Sequence, residues 1–490
     1  MTLRQLSLGT CAHSWLHWTI AALLAAGCAA KPPLHDAPAL PGAADIGSGA
    51  ADVAASAGFA AAKGPAESRD RAENDECSGK PAGPPPPPPH SHLEYVRNFH
   101  QTWQSDPSTT VTLTWTTNVT DLAAYTPRAL YGPVSEVCGD GRMLFAGQAQ
   151  QAAGAGILYD TITWDGQEKA VTWTVELTDL KPDTDYAFAV GTWKSYDPAT
   201  AKFSKATLSK PGHFRTAPAK GSRAPMRFVM AGDSRGGTAN IYAHNKRFAA
   251  IPALSWFFTG DMSSTGVQPQ WDDWFESMAP VLWTKPLMPV QGNHEMLAEI
   301  HYGQFALPAA PGLEPDYLEH AWALDIGNVH MIGLDSNTDE GIAAQVPWLA
   351  KHLELAAKNP NTDWTFVMMH HPAYSASTVH GSSKGVQKHW VPLFEQYGVD
   401  VVFAGHDHCY ERSLPILAGK AVAAAQGVTY VVAGGFFAPP YKNGKDWWTA
   451  VSHHGNKYNY VEIAVDGKAL QLTAWSGDGT EKLDHVQLTR

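Results

Sequence analysis

Apolar and polar residues alternate along the part of the chain from residue 92 to residue 220. The alternation is clear in Val111–Trp115 and Val171–Leu177, and residues that favour turns separate such runs. A period of two is typical of strands that bury one face. Further strands of this kind are predicted at Thr161–Trp164, Tyr186–Val190 and Gly212–Thr216. Short strands at turn-marked intervals predict a β-sandwich for residues 92–220.

From residue 225 onward, short apolar runs alternate with segments of helical periodicity. A helix is predicted in Gln345–Leu355, because Pro347 suits a first turn and Leu349 and Leu353 are four residues apart. A second helix is predicted in His389–Tyr397, with Gly398 as its C-terminal cap. Antiparallel strands are predicted near the end of the chain, at Tyr458–Ile463, Ala469–Trp475 and His485–Leu488. This alternation predicts an α/β domain over residues 225–490.

The first 28 residues have the pattern of an export signal. An apolar run from Trp15 to Ala26 is short for a bilayer span and fits a signal-peptide core. The segment ends in Ala-Ala-Gly-Cys28, which resembles a bacterial lipobox, although Ala25 stands where leucine is favoured. We expect an exported protein, periplasmic or in the outer envelope, with a lipid anchor on Cys28. Ordinary cleavage near this point, giving a soluble exported protein, is the alternative.

Residues 29–91 are rich in Ala, Gly and Pro and end in the proline run Pro84–Pro89. Such a composition offers too little apolar bulk to build a core. We predict a disordered tether that polyproline II conformation stiffens at its end.

Composition narrows the class of function. A chain of 490 residues with 44% hydrophobic and 17% charged residues is long enough for two or three globular domains. Its net charge of −12 argues against a nucleic-acid partner, since phosphate backbones require a basic face. Beyond Cys11 and Cys28, an exported compartment permits a bridge between Cys77 and Cys138. Cys409 would then remain unpaired, as a small buried side chain.

The candidate chemistry lies at the ends of predicted strands. Five apolar runs are followed at once by residues that bind metals, namely Phe228–Asp233, Trp256–Asp261, Pro289–His294, Phe366–His371 and Phe403–Arg412. In open α/β sheets, ligands bind at the carboxyl ends of strands. Asp, Asn and His side chains in these positions therefore indicate one shared site.

In this order, the motifs Gly-Asp, Gly-Asp, Gly-Asn-His, Val-x-x-His and Gly-His-x-His resemble those of the calcineurin-like metallophosphoesterases, and among them the purple acid phosphatases. The resemblance extends from about Arg227 to the end of the chain. It implies a four-layer α/β/β/α sandwich. The run Leu180–Tyr186 resembles fibronectin type III domains and the N-terminal domain of plant-type purple acid phosphatases. We expect that domain to have a structural role.

Carried over motif by motif, the resemblance implies two metal ions. The first would be bound by Asp233 and His408, and the second by Asn293, His370 and His406. The carboxylate of Asp261 would bridge both. Mixed oxygen and imidazole ligands suit Fe, Mn or Zn better than Ca.

The resemblance also implies the reaction, which is hydrolysis of small phosphate monoesters by a metal-bound hydroxide. His294 is the preferred proton donor, ahead of His380, and Arg235 is a candidate for binding substrate. A phosphodiesterase or nucleotidase on the same scaffold is one alternative. A non-catalytic, surface-binding lipoprotein is another.

Two residues depart from the purple acid phosphatase pattern. Ser264 stands where that family has the tyrosine that gives its colour, so we predict a colourless enzyme. Arg235 stands where related phosphoesterases have His or Gly, and an arginine does not ligate metals. Arg235 would either contact the substrate phosphate or pair with a nearby carboxylate.

Several residues near these motifs are not predicted to bind metal or substrate. Strand alternation predicts that His371 points away from the site, and Glu295 is expected to orient the adjacent histidine. Asp335 is expected to anchor a loop. Glu411 and Arg412 are expected to be structural, whereas His453 and His454 lie in a Gly/Asn loop that nothing in the sequence places at the cleft.

Overall fold

The structure is a computed structural model that describes residues 96–490, except 118–120, 138–148, 194–195, 198–201, 204–205, 297, 424–425 and 454–456. All described residues belong to one compact unit, Ala66–Arg490. The predicted signal, the tether, Cys28, Cys77, Cys138 and His454 lie outside the described residues. Within those residues, no helix is long and apolar enough to cross a membrane.

The N-terminal part is rich in strands. Its strands are β1 (Arg97–Thr102), β2 (Val111–Thr117), β3 (Thr126–Pro133), β4 (Gln150–Ala153), β5 (Ala155–Thr163), β6 (Gly166–Leu177), β7 (Asp185–Trp193), β8 (Tyr196–Asp197), β9 (Lys202–Phe203), β10 (Ala206–Leu208) and β11 (Gly212–Arg215). The short helix α1 (Val134–Val137) follows β3. One sheet has the order β1-β2-β6-β5, and the other has β10-β7-β3-β4 with β11 also paired to β7. The predicted β-sandwich is confirmed.

The apolar positions of the predicted alternation form the core of the sandwich, although every residue of β2 is buried. Leu113 and Trp115 on β2 and Trp173 and Val175 on β6 are fully buried in one cluster. Trp115 lies opposite Trp173 across the antiparallel β2–β6 pair. Burying a large apolar side chain stabilises a fold by about 1.5–3 kcal/mol, so these pairs fix the register of the two strands.

The C-terminal part contains the remaining elements. Its strands are β12 (Met226–Ala231), β13 (Ser255–Phe258), β14 (Leu287–Pro289), β15 (Ala321–Ile326), β16 (Val329–Leu334), β17 (Trp364–Met368), β18 (Val401–Ala404), β19 (Tyr410–Ser413), β20 (Ile416–Leu417), β21 (Lys420–Ala421), β22 (Thr429–Ala433), β23 (Thr449–His453), β24 (Asn459–Asp466), β25 (Ala469–Ser476) and β26 (Lys482–Thr489). Its helices are α2 (Ala239–Ala250), α3 (Gln268–Leu282), α4 (Glu299–Gln304), α5 (Asp339–Ala344), α6 (Val346–Lys358), α7 (Lys384–His389) and α8 (Val391–Tyr397).

Two mixed sheets form the centre of this domain. The first has the order β14-β13-β12-β24-β25-β26, and the second has β15-β16-β17-β18-β22-β19-β23. Strands β12, β13 and β14 run parallel, as do β16, β17, β18 and β22. The carboxyl ends of each parallel set therefore meet at one edge of their sheet.

Side-chain alternation shows how the layers stack. Phe228 and Met230 on β12 point into a cluster that also contains Phe366 and Phe403 from the second sheet. Their neighbour Val229 points the other way, into a separate cluster with the helices α2 and α3. A third cluster packs helices α6 and α8 on the outer face of the second sheet. The predicted four-layer α/β/β/α arrangement is confirmed.

The predicted helices have slightly different bounds. The predicted helix His389–Tyr397 is split, because α7 ends at His389 and α8 begins at Val391. Gly398 closes α8 in the left-handed conformation, with φ of +67°. Helix α6 has proline in its first turn, as its sequence predicts.

The sandwich packs against helix α4 of the following domain. Both ring nitrogens of His100 lie 2.8 Å from carbonyl oxygens, those of Asn98 and Gln304. The side-chain amide of Gln304 donates to the hydroxyl of Tyr159 at 2.9 Å. These contacts fix one end of α4 from outside its own domain.

Candidate metal centre

The motif residues meet where the two sheets end. Asp233, Asp261 and Asn293 follow β12, β13 and β14 of the first sheet, whereas His370 and His406 follow β17 and β18 of the second. The close contacts between these side chains show that the two sets of strand ends face each other.

The backbone turns sharply at these positions. Asp233, Asp261 and His406 have φ of +62°, +57° and +68°, and Arg235 has +55°. Left-handed conformation is uncommon for residues other than glycine and costs of order 1–3 kcal/mol, and such residues cluster at functional sites. Each turn aims a ligand-type side chain out of its strand and into the cleft.

Glycine permits the close approach of two loops. Gly260 has φ of +94°, and a Cβ atom there would lie 2.6 Å from the backbone nitrogen of Gly292. A Cβ atom on Gly292 would lie 2.2 Å from the Asp261 carboxylate. Glycine at these two positions therefore lets the loops pack together. A side chain on Gly260 would displace the neighbouring loop, and one on Gly292 would displace the Asp261 carboxylate.

One group of ligand atoms comprises Asp233, Asp261 and His408. These atoms all lie within 4.8 Å of one another. The Nε2 atom of His408 is 3.6 Å from Oδ1 of Asp233. Oδ2 of Asp261 and Nε2 of His408 are buried and have no hydrogen-bond partner within the part of the chain that the structure describes.

A second group lies on the other side of Asp261. The Nε2 atom of His370 is 3.3 Å from Oδ1 of Asp261 and 3.0 Å from Oδ1 of Asn293. Nδ1 of His406 lies 3.2 Å from the same His370 nitrogen. Asp261 thus lies within reach of both groups, which is the position that a bridging carboxylate requires.

Main-chain acceptors fix the orientation of the imidazoles. Nδ1 of His370 lies 2.7 Å from the carbonyl of Thr259, and Nδ1 of His408 lies 2.7 Å from that of Pro439. Because a carbonyl only accepts, each Nδ1 carries the hydrogen, and each Nε2 presents a lone pair to the carboxylates. Lone pairs that face carboxylates are repulsive unless a cation lies between them, so this donor set fits metal ions.

The electrostatics of the cluster lead to the same conclusion. Burial raises the pKa of Asp233 well above its ordinary value, and it also raises the pKa of Asp261. Burial, together with neighbouring histidines, lowers the pKa of His406 to about 2, and burial lowers that of His408 to about 4. A histidine binds a metal through its neutral imidazole, and a bound cation would stabilise the charged form of the two carboxylates.

His294 has the orientation that a proton donor needs. Its Nδ1 atom lies 2.7 Å from the carbonyl of Ser264, so Nε2 faces the cleft, 3.9 Å from Oδ2 of Asp261. The hydroxyl of Ser264 donates to the carbonyl of Arg235 at 2.8 Å. Ser264, in the tyrosine position, therefore contacts both the His294 ring and the main chain of Arg235.

Arg235 lies beside the central carboxylate. Its Nε atom is 3.8 Å from Oδ2 of Asp261, a distance that is too long for a hydrogen bond. The same Nε is buried without a hydrogen-bond partner among the described residues. The guanidinium thus adds positive charge at the cleft without binding tightly to any carboxylate.

His380 lies at the exposed rim of the site. Its ring centre is 4.1 Å from that of His406 and 5.6 Å from that of Tyr441. Tyr441 stacks on His408 at 4.0 Å with an interplanar angle of 14°. Sequence reasoning missed Tyr441, because it follows two prolines in a loop that carries none of the recognised motifs.

The predicted direction of His371 was wrong. Its ring lies 4.2 Å from that of His406, and it forms a group of potential ligands with His370 and His406. Strand β17 ends at Met368, so strict alternation does not extend to residue 371. Nδ1 of His371 is 3.0 Å from the hydroxyl of Ser336, which holds the ring in place.

Two buried carboxylates anchor the loops of the site. Glu295 accepts hydrogen bonds from the backbone N–H groups of Asp261, Ser263 and Gly292, at 2.7–3.0 Å. It thus joins the backbones of two loops and does not contact the ring of the adjacent histidine. Asp407 accepts from the Gly381 N–H group at 3.1 Å, which fixes the loop that carries His380.

The remaining secondary candidates have other contacts. Asp335 binds His320 and Asn337. The predicted loop position of His453 was wrong, because it is the last residue of β23, and its Nε2 lies 2.7 Å from the carbonyl of Leu483. Arg412 pairs with Asp484, and Glu411 accepts from the indole of Trp448. Cys409 is a free, buried cysteine, as predicted.

Fold and site together define a metallophosphoesterase. Residues 226–410 match the family model of calcineurin-like phosphoesterases, and residues 96–216 match that of the purple acid phosphatase N-terminal domain. The chain therefore contains a calcineurin-like metallophosphoesterase domain preceded by a purple acid phosphatase N-terminal domain.

Individual relatives match about half of the chain. Purple acid phosphatase 15 of Arabidopsis thaliana is 29% identical over 273 residues, covering 49% of each chain. An uncharacterised protein of Mycobacterium tuberculosis is 29% identical over 280 residues, covering 49% of this chain and 50% of its own. The chain thus spans about half the length of the curated relatives it matches. The structure of a purple acid phosphatase from yellow lupin (Lupinus luteus) seeds has the same fold, with a TM-score of 0.67 at 18% identity over 81% of this chain and 75% of the lupin chain.

Proposed function

We propose that this protein is an exported, metal-dependent phosphatase that hydrolyses small phosphate monoesters at a dinuclear centre. The observation that carries the proposal is the position of Asp261. Its carboxylate belongs to one group of ligand-type side chains with Asp233 and His408, and it also lies 3.3 Å from His370 in the other group. Two metal ions held this way would supply positive charge to the phosphoryl oxygens and lower the pKa of a bound water.

Different side chains would bind the metals and donate the proton. Asp233 and His408 would hold the first ion, and Asn293, His370 and His406 would hold the second. With both ring nitrogens protonated, His294 would donate from Nε2 to the leaving oxygen, because its Nδ1 hydrogen is held by the carbonyl of Ser264. A general acid placed in this way contributes about 10²–10⁴-fold to the rate.

Two features favour a monoester over a diester. A phosphate monoester carries up to two negative charges near neutral pH, whereas a diester carries one. Arg235 brings a guanidinium to the cleft that no carboxylate engages in a hydrogen bond among the described residues. A guanidinium can donate two hydrogen bonds to terminal phosphoryl oxygens, which a monoester offers in greater number. His380, exposed at the rim, adds a further donor.

The test compares substrates and metal states on one preparation. Rates on p-nitrophenyl phosphate and bis-p-nitrophenyl phosphate are measured before chelation, after chelation and after adding back Mn, Zn or Fe. We expect the monoester to be hydrolysed faster, with activity lost on chelation and restored by metal. The variant His294→Gln should retain the metals and lose about 10²-fold or more in kcat. Faster hydrolysis of the diester, or activity that survives chelation, would overturn the proposal.

Export and anchoring rest on the N-terminal sequence. The apolar run from Trp15 to Ala26 and the lipobox-like end at Cys28 support a lipid-anchored envelope protein. Metabolic labelling with a palmitate analogue in a bacterial host should mark the wild type and leave Cys28→Ala unmarked. Equal labelling of both proteins, or labelling of neither, would refute the anchor.

A further inference from the structure

A chain of hydrogen bonds starts at Asp335, outside both groups of ligands. Oδ2 of the buried Asp335 side chain lies 2.5 Å from Nδ1 of His320. Nε2 of His320 lies 3.1 Å from the hydroxyl of Tyr302, and that hydroxyl lies 3.1 Å from Oε1 of Gln291. Gln291 leads directly into the loop that carries Asn293 and His294.

The same carboxylate reaches this loop by a second path. Oδ1 of Asp335 accepts hydrogen bonds from the backbone and the side-chain amide of Asn337, at 2.8 and 2.7 Å. The Asn337 amide also donates to the carbonyl of Gln291 at 3.3 Å. Both the side chain and the main chain of Gln291 are thus tied to Asp335, which limits how the loop can move.

Tyr302 is the central group of this chain. Because the Asp335 carboxylate only accepts, Nδ1 of His320 donates to it. Tyr302 has one hydrogen and two neighbours, Nε2 of His320 and Oε1 of Gln291. The phenol hydroxyl therefore lies between His320 and Gln291 and is the group that connects them.

The surroundings keep this network rigid. Gln291, His301 and Asp335 are 3–5% exposed, and with Tyr302 and His320 they line a cavity of about 10 Å³, room for about one water molecule. Nδ1 of His301 and Nε2 of Gln291 are buried without partners within the described part of the chain, so a water there would have groups to bind. Tyr302 lies on α4, the helix that the N-terminal sandwich holds through Gln304.

We propose that Tyr302 and Gln291 are positioning residues, and that with His320 and Asp335 they set the place of Asn293 in the second metal site. This inference rests on the proposed function in that it assigns a metal to Asn293. Through helix α4, it also gives the N-terminal sandwich a role in holding that site. Outer partners of metal ligands are worth about 10–100-fold in metal affinity or activity.

The test is a metal titration that does not depend on turnover. Metal-free wild-type protein and the variant Tyr302→Phe, which loses one hydroxyl and little volume, are titrated with Zn²⁺ by calorimetry. We expect one of the two binding steps, that of the second site, to lose about 10–100-fold in affinity, with the other step unchanged. His320→Gln, which interrupts the chain at its centre, should give the same pattern. The control is Tyr317→Phe, because the ring of Tyr317 also packs on His320, at 5.3 Å.

The outcomes separate this inference from the proposed function. A selective loss of one binding step in Tyr302→Phe and His320→Gln, with Tyr317→Phe like the wild type, supports the network. In those two variants kcat should also fall while KM changes little. Wild-type affinity for both ions in Tyr302→Phe would overturn the inference, as would an equal loss in Tyr317→Phe. If the wild type binds two ions but hydrolyses no monoester, the proposed function is wrong. The titration then still tests whether Tyr302 and His320 position the second metal site.

Discussion

Nε2 of His370 lies 3.3 Å from Oδ1 of Asp261, although the two residues follow strands of different sheets. This contact joins the two halves of the domain at the site. Neither atom is a donor in the neutral state, since Nδ1 of His370 holds the hydrogen for Thr259. The two atoms therefore repel each other unless a cation lies between them.

Removing the charge of Asp261 should disable both metal positions. In Asp261→Asn we expect fewer than two ions per chain and a loss of about 10³-fold in kcat/KM, because metal stabilisation of the transition state is worth several kcal/mol. Metal analysis and kinetics on p-nitrophenyl phosphate measure this. The control Asp160→Asn removes an exposed carboxylate from the sandwich that pairs with Lys169. Full metal content in Asp261→Asn would contradict the bridging role.

The protein should be colourless when loaded with iron. Ser264 occupies the tyrosine position, and its hydroxyl is engaged by the carbonyl of Arg235, so no phenolate is available from this loop. An absorption spectrum of the iron-loaded protein should show no intense band in the visible range. An intense purple band would contradict this, and its loss in Tyr441→Phe would identify the tyrosine that stacks on His408 as the source.

Arg235 should act on the substrate. Hydrogen bonds to charged groups contribute about 1.5–3 kcal/mol, so Arg235→Ala should lower kcat/KM by about 10–100-fold. Arg235→Lys keeps the charge but loses the two-pronged geometry, and it should recover only part of that loss. Steady-state kinetics on a phosphate monoester give both values. Unchanged kcat and KM in Arg235→Ala would exclude the role.

Glu295 should stabilise the protein through its three backbone contacts. In Glu295→Gln the amide nitrogen would face N–H groups and leave at least one of them unsatisfied. Since an unsatisfied buried donor costs about 1–3 kcal/mol, the free energy of unfolding should fall by that amount. Urea denaturation of the metal-free protein measures it, with Glu299→Gln on helix α4 as the control. Equal stability of Glu295→Gln and the wild type would contradict the anchoring role.

Lys285 should make stability depend on pH in the alkaline range. Burial lowers the pKa of Lys285 from 10.5 to about 8. Between these values the unfolded chain binds more protons, so the free energy of unfolding should rise with pH, by about 3 kcal/mol from pH 8 to 10.5. Below about pH 8 both states are protonated, and the cost of the buried charge is fully present.

The comparison uses Lys285→Met and a control, Lys388→Met, which removes an exposed lysine from α7. Denaturation at pH 8 and pH 10 should show the rise in the wild type and in Lys388→Met. Lys285→Met should lack most of it. A rise of the same size in Lys285→Met would show that Lys285 does not cause the effect.

The sequence predicts those parts of the site that depend on strand ends. Asp233, Asp261 and His370 follow runs so apolar that their strands and the edge at which they end can be recognised. Parallel strands bring such residues together by geometry alone. Periodicity predicts only an α/β domain, and the four-layer fold was expected from the family resemblance; the two faces of β12 pack into two separate clusters, as that fold requires.

Other parts of the site depend on loop conformation, which periodicity does not determine. Tyr441 reaches His408 through a loop after β22, and no local pattern predicts its stacking. His371 was misplaced because its strand ends earlier than its apolar run suggests. The contact between Tyr302 and Gln291 joins a helix to a loop and depends on tertiary packing.

The most direct test of the account is a crystal structure of the metal-loaded protein with anomalous scattering. The account predicts two ions about 3.5–4 Å apart with the Asp261 carboxylate between them. Asp233 and His408 should lie on one ion, and Asn293, His370 and His406 on the other. A single ion, or two ions bound away from Asp261, would contradict it.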